Sequence, residues 1–124
     1  MNLVLWIVAA VLAFGMLASG LMKVVRPKAA LAKSGQAWVE DFSDGAIKGI
    51  GTLEVLAAIG LILPALLDIA PILVPVAATG VFLLMVGASI THARRKEYSA
   101  IPITAVLALL GLFIAIFRFG SYSF

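Results

Sequence analysis

The sequence has no cysteine, one histidine and little charge: only 12% of its residues are Asp, Glu, Lys or Arg. Without cysteine there is no internal disulfide, no thiolate nucleophile and no self-supplied iron–sulfur or thiolate-ligated zinc site. A lone histidine, His92, excludes a multi-histidine metal centre and two-histidine haem ligation within one chain, so no metal site is expected. The shortage of charge excludes more. Soluble domains are about a quarter charged, so a chain that is 64% hydrophobic has too little polar surface to coat a globule in water. The expected partner is the lipid bilayer, not nucleic acid, and the expected organisation is one domain over residues 1–124.

What is present is a set of apolar runs near the length that crosses a membrane, about 20 residues. Four stand out, at approximately 2–25, 46–67, 71–93 and 99–119. The pattern predicts an all-α membrane protein, a four-transmembrane-helix bundle. Asp68 and Ser99 are expected as N-caps, with Pro71 and Pro102 in first turns, where a missing N–H costs little. Pro64 and Pro75 are expected deeper, as kinks. The first run reads as a retained helix, not a signal peptide, because no basic residue precedes it and it is too long for a signal's apolar core.

Lys and Arg set the expected orientation. The connector after the first run carries Arg26, Lys28 and Lys33, and the one after the third carries Arg94, Arg95 and Lys96. The opposite side has Arg118 as its one basic residue. Basic loops stay in the cytoplasm, which predicts a multi-pass protein of the inner (plasma) membrane with both termini outside. Topology alone accounts for Arg94, Arg95 and Lys96. In the long first connector, Leu31, Trp38, Val39 and Phe42 fall at helical spacing, interrupted by Gly35. Two readings stand: a partly helical interfacial segment anchored by Trp38, or a solvated connector.

Polar residues gather in the cytoplasmic half of the runs. Glu54 lies in an almost wholly apolar stretch, GTLEVLAAIGLILP, where a charge costs about 2.5–3.5 kcal/mol on insertion scales. It should therefore face inward, on a slim stripe with Gly51, Ala57, Ala58 and Leu61. Lys23 is its natural partner, ending a stripe of Gly15 and Ser19 at four-residue intervals; Lys48 lies on another face. Met85, Ser89 and His92 align on the third run, and Ala108, Gly111 and Ala115 give the fourth a small face suited to self-association. Lys23, Glu54, His92, Ser19 and Ser89 are thus the candidate ligand-binding residues, with no catalytic group among them. A structural tie between helices is the competing reading for the Lys23–Glu54 pair, and solvation at a helix end is the competing one for His92.

SGLMKVVRP, then AWVEDFSDGAIKGIGTLEVLAAIGLILP, then GASITHARRKE resemble, in that order, the DoxX-like family of small bacterial integral membrane proteins. The distinctive parts are the G-x-x-K of Gly20–Lys23, the G-x-x-E of Gly51–Glu54 and the G-A-x-x-x-H of Gly87–His92. The resemblance implies a four-helix membrane protein with a redox association, since DoxX and DoxD relatives are linked to quinone-dependent sulfur oxidation or membrane oxidoreductase complexes.

With no cysteine, any thiol or metal chemistry must come from a partner. The leading expectation is an accessory subunit, not catalytic alone, with a quinone-like headgroup or lipid held by the polar cluster and a membrane oxidoreductase subunit as partner. A structural or assembly protein without a ligand, a small-molecule carrier and a homo-oligomer are the alternatives. The orientation is directly testable, because the background lacks cysteine. In intact cells an impermeant thiol reagent should label Ser121→Cys and spare Ser34→Cys, and the opposite pattern would invert the topology.

Overall fold

The computed structural model describes residues 1–33 and 36–124; Ser34 and Gly35, the sites of one topology probe and of the expected helix break, lie outside the described residues. The chain forms α1 (Asn2–Val25), α2 (Lys28–Lys33), α3 (Asp44–Leu66), α4 (Leu73–Arg94) and α5 (Ile101–Phe119), with short 3-10 turns at Ala37–Asp41 and Tyr98–Ala100. Among the described residues there is no strand. Four of the helices are long and apolar enough to cross a bilayer, α5 together with the turn before it. Their outer faces carry bare apolar side chains, with Phe14 at 76% and Leu3 at 71% exposure. A surface of that kind is tolerated in lipid and not in water. The chain is a multi-pass membrane protein.

Local chemistry places the ends, though not where it was expected. Ser43 caps α3, its Oγ accepting from the Ala46 N–H at 3.1 Å, and Asp44 follows in the positive first turn. Asp68 caps nothing: it sits in the turn between α3 and α4 with φ 53°, and α4 begins five residues later without a side-chain cap. Ser99 lies inside a 3-10 turn and also caps nothing. Pro102 does open α5. Pro75 falls in the first turn of α4, where no helical N–H is lost, while Pro64 lies inside α3 near its end.

The helices associate as two close pairs, α1 with α3 and α4 with α5. In the first pair Gly20 and Gly51 face each other. A Cβ on Gly20 would stand 2.6 Å from the Gly51 carbonyl oxygen, and one on Gly51 2.7 Å from Lys23 Cβ, so only hydrogen fits at this crossing. Gly15, expected to share the packing stripe, has nothing within 4 Å of an added Cβ. In the second pair Gly111 rests on α4, where a Cβ would meet the Ala78 carbonyl oxygen at 2.9 Å. The small face of the last helix is therefore spent inside the chain and is not free for self-association. Between the pairs, α3 and α4 touch at Gly60 and Ala77, beside the turn that joins them. The contact of α1 with α5 is slight.

One apolar core fills the end of the bundle near the termini and its middle, with Leu5, Leu12, Leu61, Val81 and Ile114 fully enclosed. At the terminal end Arg118, 3% exposed, ties α5 to α1. Its Nη1 donates to Asn2 Oδ1 at 2.7 Å and to the Tyr122 carbonyl at 2.8 Å, and the Phe124 ring lies 3.9 Å from the guanidinium carbon. A second small core at the other end joins Leu31, Val39 and Ile47, with Trp38 and Phe42 against it. The long connector is thus a packed, partly helical cap on the basic end of the bundle, which decides between its two readings. Lys28 fixes it further by donating to the Phe42 carbonyl at 2.7 Å.

These crossings give unequal costs to similar changes. Gly51→Ala pushes a methyl into backbone and should lose about 1–3 kcal/mol in detergent-unfolding titrations. Gly15→Ala, facing open space, should be neutral or slightly stabilising. Gly111→Leu should destabilise the monomer itself; a weakened oligomer with an intact monomer would mean the α4–α5 contact is misplaced.

Candidate functional site

Glu54 lies about 15 Å along α3 from its start, at 1.5 Å per residue, and is only 2% exposed. The enclosed face of α3 is Ile47, Gly51, Glu54, Ala57, Ala58 and Leu61, so the carboxylate shares the helix's packing stripe. Because Gly20 and Gly51 bring α1 so close, Lys23 reaches it from the last turn of α1, where a cation also suits the helix dipole. Lys23 Nζ donates to Glu54 Oε1 at 2.8 Å and, one turn back, to Ser19 Oγ at 2.6 Å. The Trp38 ring lies 5.6 Å from the ammonium and offers it a π face. Lys48 takes no part; it donates to the Val24 carbonyl at 3.0 Å, at the end of α1. Glu54 Oε2 is buried and has no hydrogen-bond partner among the described residues.

The pair borders a cavity of about 1130 Å³. Its walls come from all four long helices and from the connector. Along α4 it runs from Leu73 to His92, so it extends most of the way across the bundle. Over most of that length the walls are apolar. Polar side chains collect at the basic end, where Ser19, Lys23, Glu54, Thr91 and His92 meet Gln36 and Trp38 of the connector.

The candidate residues are not all equal partners in this. Lys23, Glu54 and Ser19 form one hydrogen-bonded unit. His92 lines the same cavity, but its Nδ1 is bonded to Glu97 Oε1 at 3.0 Å, beyond the end of α4. Ser89 does not line the cavity; its hydroxyl shares a 2.8 Å hydrogen bond with Thr104 and helps join α4 to α5.

Arg95 has a part that topology did not suggest. Its Nη1 lies 2.9 Å from Asp41 Oδ2, its Nε 3.2 Å from Glu97 Oε2 and its Nη2 3.8 Å from Glu40. The hydrogen bond to Asp41 and then that to Glu97 raise its pKa further above the ordinary guanidinium value. Glu97 is held below the usual carboxylate range by the hydrogen bond from His92, with Arg95 reinforcing it against the opposing effect of burial. His92, Glu97, Arg95 and Asp41 therefore run as a chain of contacts from the cavity wall to the connector that closes its end. Neither Arg95 nor the connector's Gln36 was among the sequence candidates; both are ordinary loop residues until the loop is folded back.

No curated protein and no solved structure matches the chain. The model of the DoxX-like family matches residues 7–114, from within α1 to within α5. The matched stretch contains Gly20 and Gly51 of the α1–α3 crossing and Lys23, Glu54 and His92 together with the cavity those three border, and the protein belongs to the DoxX-like family.

Proposed function

We propose that this protein is an accessory subunit of a membrane redox system, not catalytic by itself, which holds a quinone-like molecule between its two helix pairs. In this reading it lies in the inner membrane as one domain with its basic loops in the cytoplasm, and an oxidoreductase subunit supplies the chemistry. The observation that carries it is the pairing of a long apolar cavity with a compact polar end. Ligand pockets combine mainly apolar walls with a few convergent polar groups that fix orientation. Here Lys23 offers an ammonium N–H, His92 its second ring nitrogen, Thr91 a hydroxyl oxygen and Glu54 a carboxylate acceptor. Such a set can hold a carbonyl or hydroxyl at the head of a molecule whose remainder lies among Leu, Met and Ala. The redox association itself comes from the family.

The test separates the cavity from the ion pair. Gly80 and Gly87 both border the cavity, and a Cβ on either meets nothing within 4 Å. Gly80→Leu and Gly87→Leu should therefore fill it while leaving Lys23 and Glu54 untouched. Protein extracted in native lipid should carry quinone, measured by mass spectrometry, above the level of empty nanodiscs, and both variants should lose it with unchanged helicity. Wild-type protein carrying no more quinone than the empty discs would rule the reading out.

A further inference from the structure

We propose that the cavity is loaded sideways from the lipid, through the gap between α3 and α4, and that its occupant is a neutral amphiphile with a long apolar tail. The inference deepens the proposed function and rests on it for the nature of the headgroup. Three features of the cavity carry it.

The first is where the walls are open. Leu53 and Leu56 on α3 and Val76 and Leu83 on α4 line the cavity and yet are 49–66% exposed, and so, at 67%, is Ile103 on α5, the helix paired with α4. A side chain that both faces a cavity and meets the surroundings marks an edge of its mouth. These five sit within the membrane-spanning lengths, so the mouth opens at lipid depth. The helices α3 and α4 touch at Gly60 and Ala77, with Val76 beside that contact and Leu53, Leu56 and Leu83 on its basic side, where the gap opens.

The second is that the end facing water is covered. Gln36, Trp38 and Phe42 of the connector form that end of the cavity. Val39 beside them is fully buried, and Arg95 binds Asp41 from the tip of α4. A molecule arriving from water must displace this packed segment and its ion pairs; one dissolved in the bilayer meets no such barrier.

The third is the match of length and charge. From Leu73 to His92 the cavity follows α4 for about 28 Å at 1.5 Å per residue. Its volume of about 1130 Å³ exceeds the ~300–1,000 Å³ usual for compact drug-sized ligands. A headgroup alone cannot fill it; a headgroup with a chain can. At the polar end the ammonium of Lys23 already faces the carboxylate of Glu54 at 2.8 Å. No cationic excess is left there to hold a phosphate, which favours an uncharged head.

The experiment uses quenching of Trp38 fluorescence in a Trp6→Phe chain reconstituted in nanodiscs. The probes are a decyl-substituted benzoquinone and the same ring without its tail. The decyl compound should quench saturably and the tailless ring at least about tenfold more weakly. Leu56→Phe with Leu83→Phe, which narrows the mouth far from the polar end, should slow decylquinone association about tenfold or more. Arg95→Gln, which loosens the water-side cover, should leave that rate unchanged. Equal binding of the tailless ring, or a rate that responds to Arg95→Gln and not to the narrowed mouth, would overturn lateral loading while leaving a quinone site in place. Absence of saturable quenching by either probe would remove the quinone-site reading and this inference together. Recovery of a phospholipid from the cavity by native mass spectrometry would overturn the neutral headgroup alone.

Discussion

A carboxylate and an ammonium 2.8 Å apart, both almost wholly removed from solvent, are the constraint around which this bundle is arranged. In lipid neither group can be left alone, and neither can turn outward without a penalty of a few kcal/mol. The pair therefore fixes which faces of α1 and α3 meet and in what register. Gly20 and Gly51 make that register possible by letting the backbones close on each other, and Ser19 and Trp38 lie against the ammonium as well. Removing either partner leaves a buried charge without compensation, which typically costs 3–5 kcal/mol. Glu54 Oε2 is buried without a partner among the described residues, so they leave the polar end with an acceptor to spare.

The rest of the architecture follows from the two-pair arrangement. Because α1 holds α3 and α4 holds α5, while α3 and α4 touch only over part of their length, space remains between the pairs. A tightly knitted bundle of this size has no room for such a cavity, since protein interiors ordinarily pack to crystal-like density. At the terminal end Arg118 closes the gap between the first and last helices with hydrogen bonds to Asn2 and Tyr122. At the other end Arg95 holds the connector across the opening through Asp41 and Glu97. Two arginines, one at each end, thus do for the bundle what loops and caps do in soluble domains.

Much of this was legible in the sequence because lipid leaves few choices. Four apolar runs gave four spanning helices, and the cost of a lone acid in hydrocarbon turned Glu54 inward to the nearest cation on a facing stripe. What escaped had partners distant in sequence or hidden in loops. Arg118 reads as an ordinary membrane-end arginine until Asn2, at the far end of the chain, is brought beside it. Gly15 and Gly20 are equivalent by composition, and only the crossing point of α1 with α3 makes Gly20 indispensable. Ser89 aligned with His92 along α4, but its hydroxyl is taken by Thr104 on a helix whose rotation no periodicity fixes. His92 lines the cavity as placed, with its bond going to Glu97 because the turn after α4 folds back within its reach.

Lys23 and Glu54 act as one buried unit, and a double-mutant cycle measures their coupling directly. Lys23→Met, Glu54→Gln and the combination are unfolded by denaturing detergent in mixed micelles, and the three losses are compared. Each single change should cost several kcal/mol, and the double variant should recover part of the loss, giving a coupling well above the few tenths of a kcal/mol typical of independent sites. Strictly additive losses, or single variants as stable as the parent, would contradict the pair as the interaction that organises the bundle.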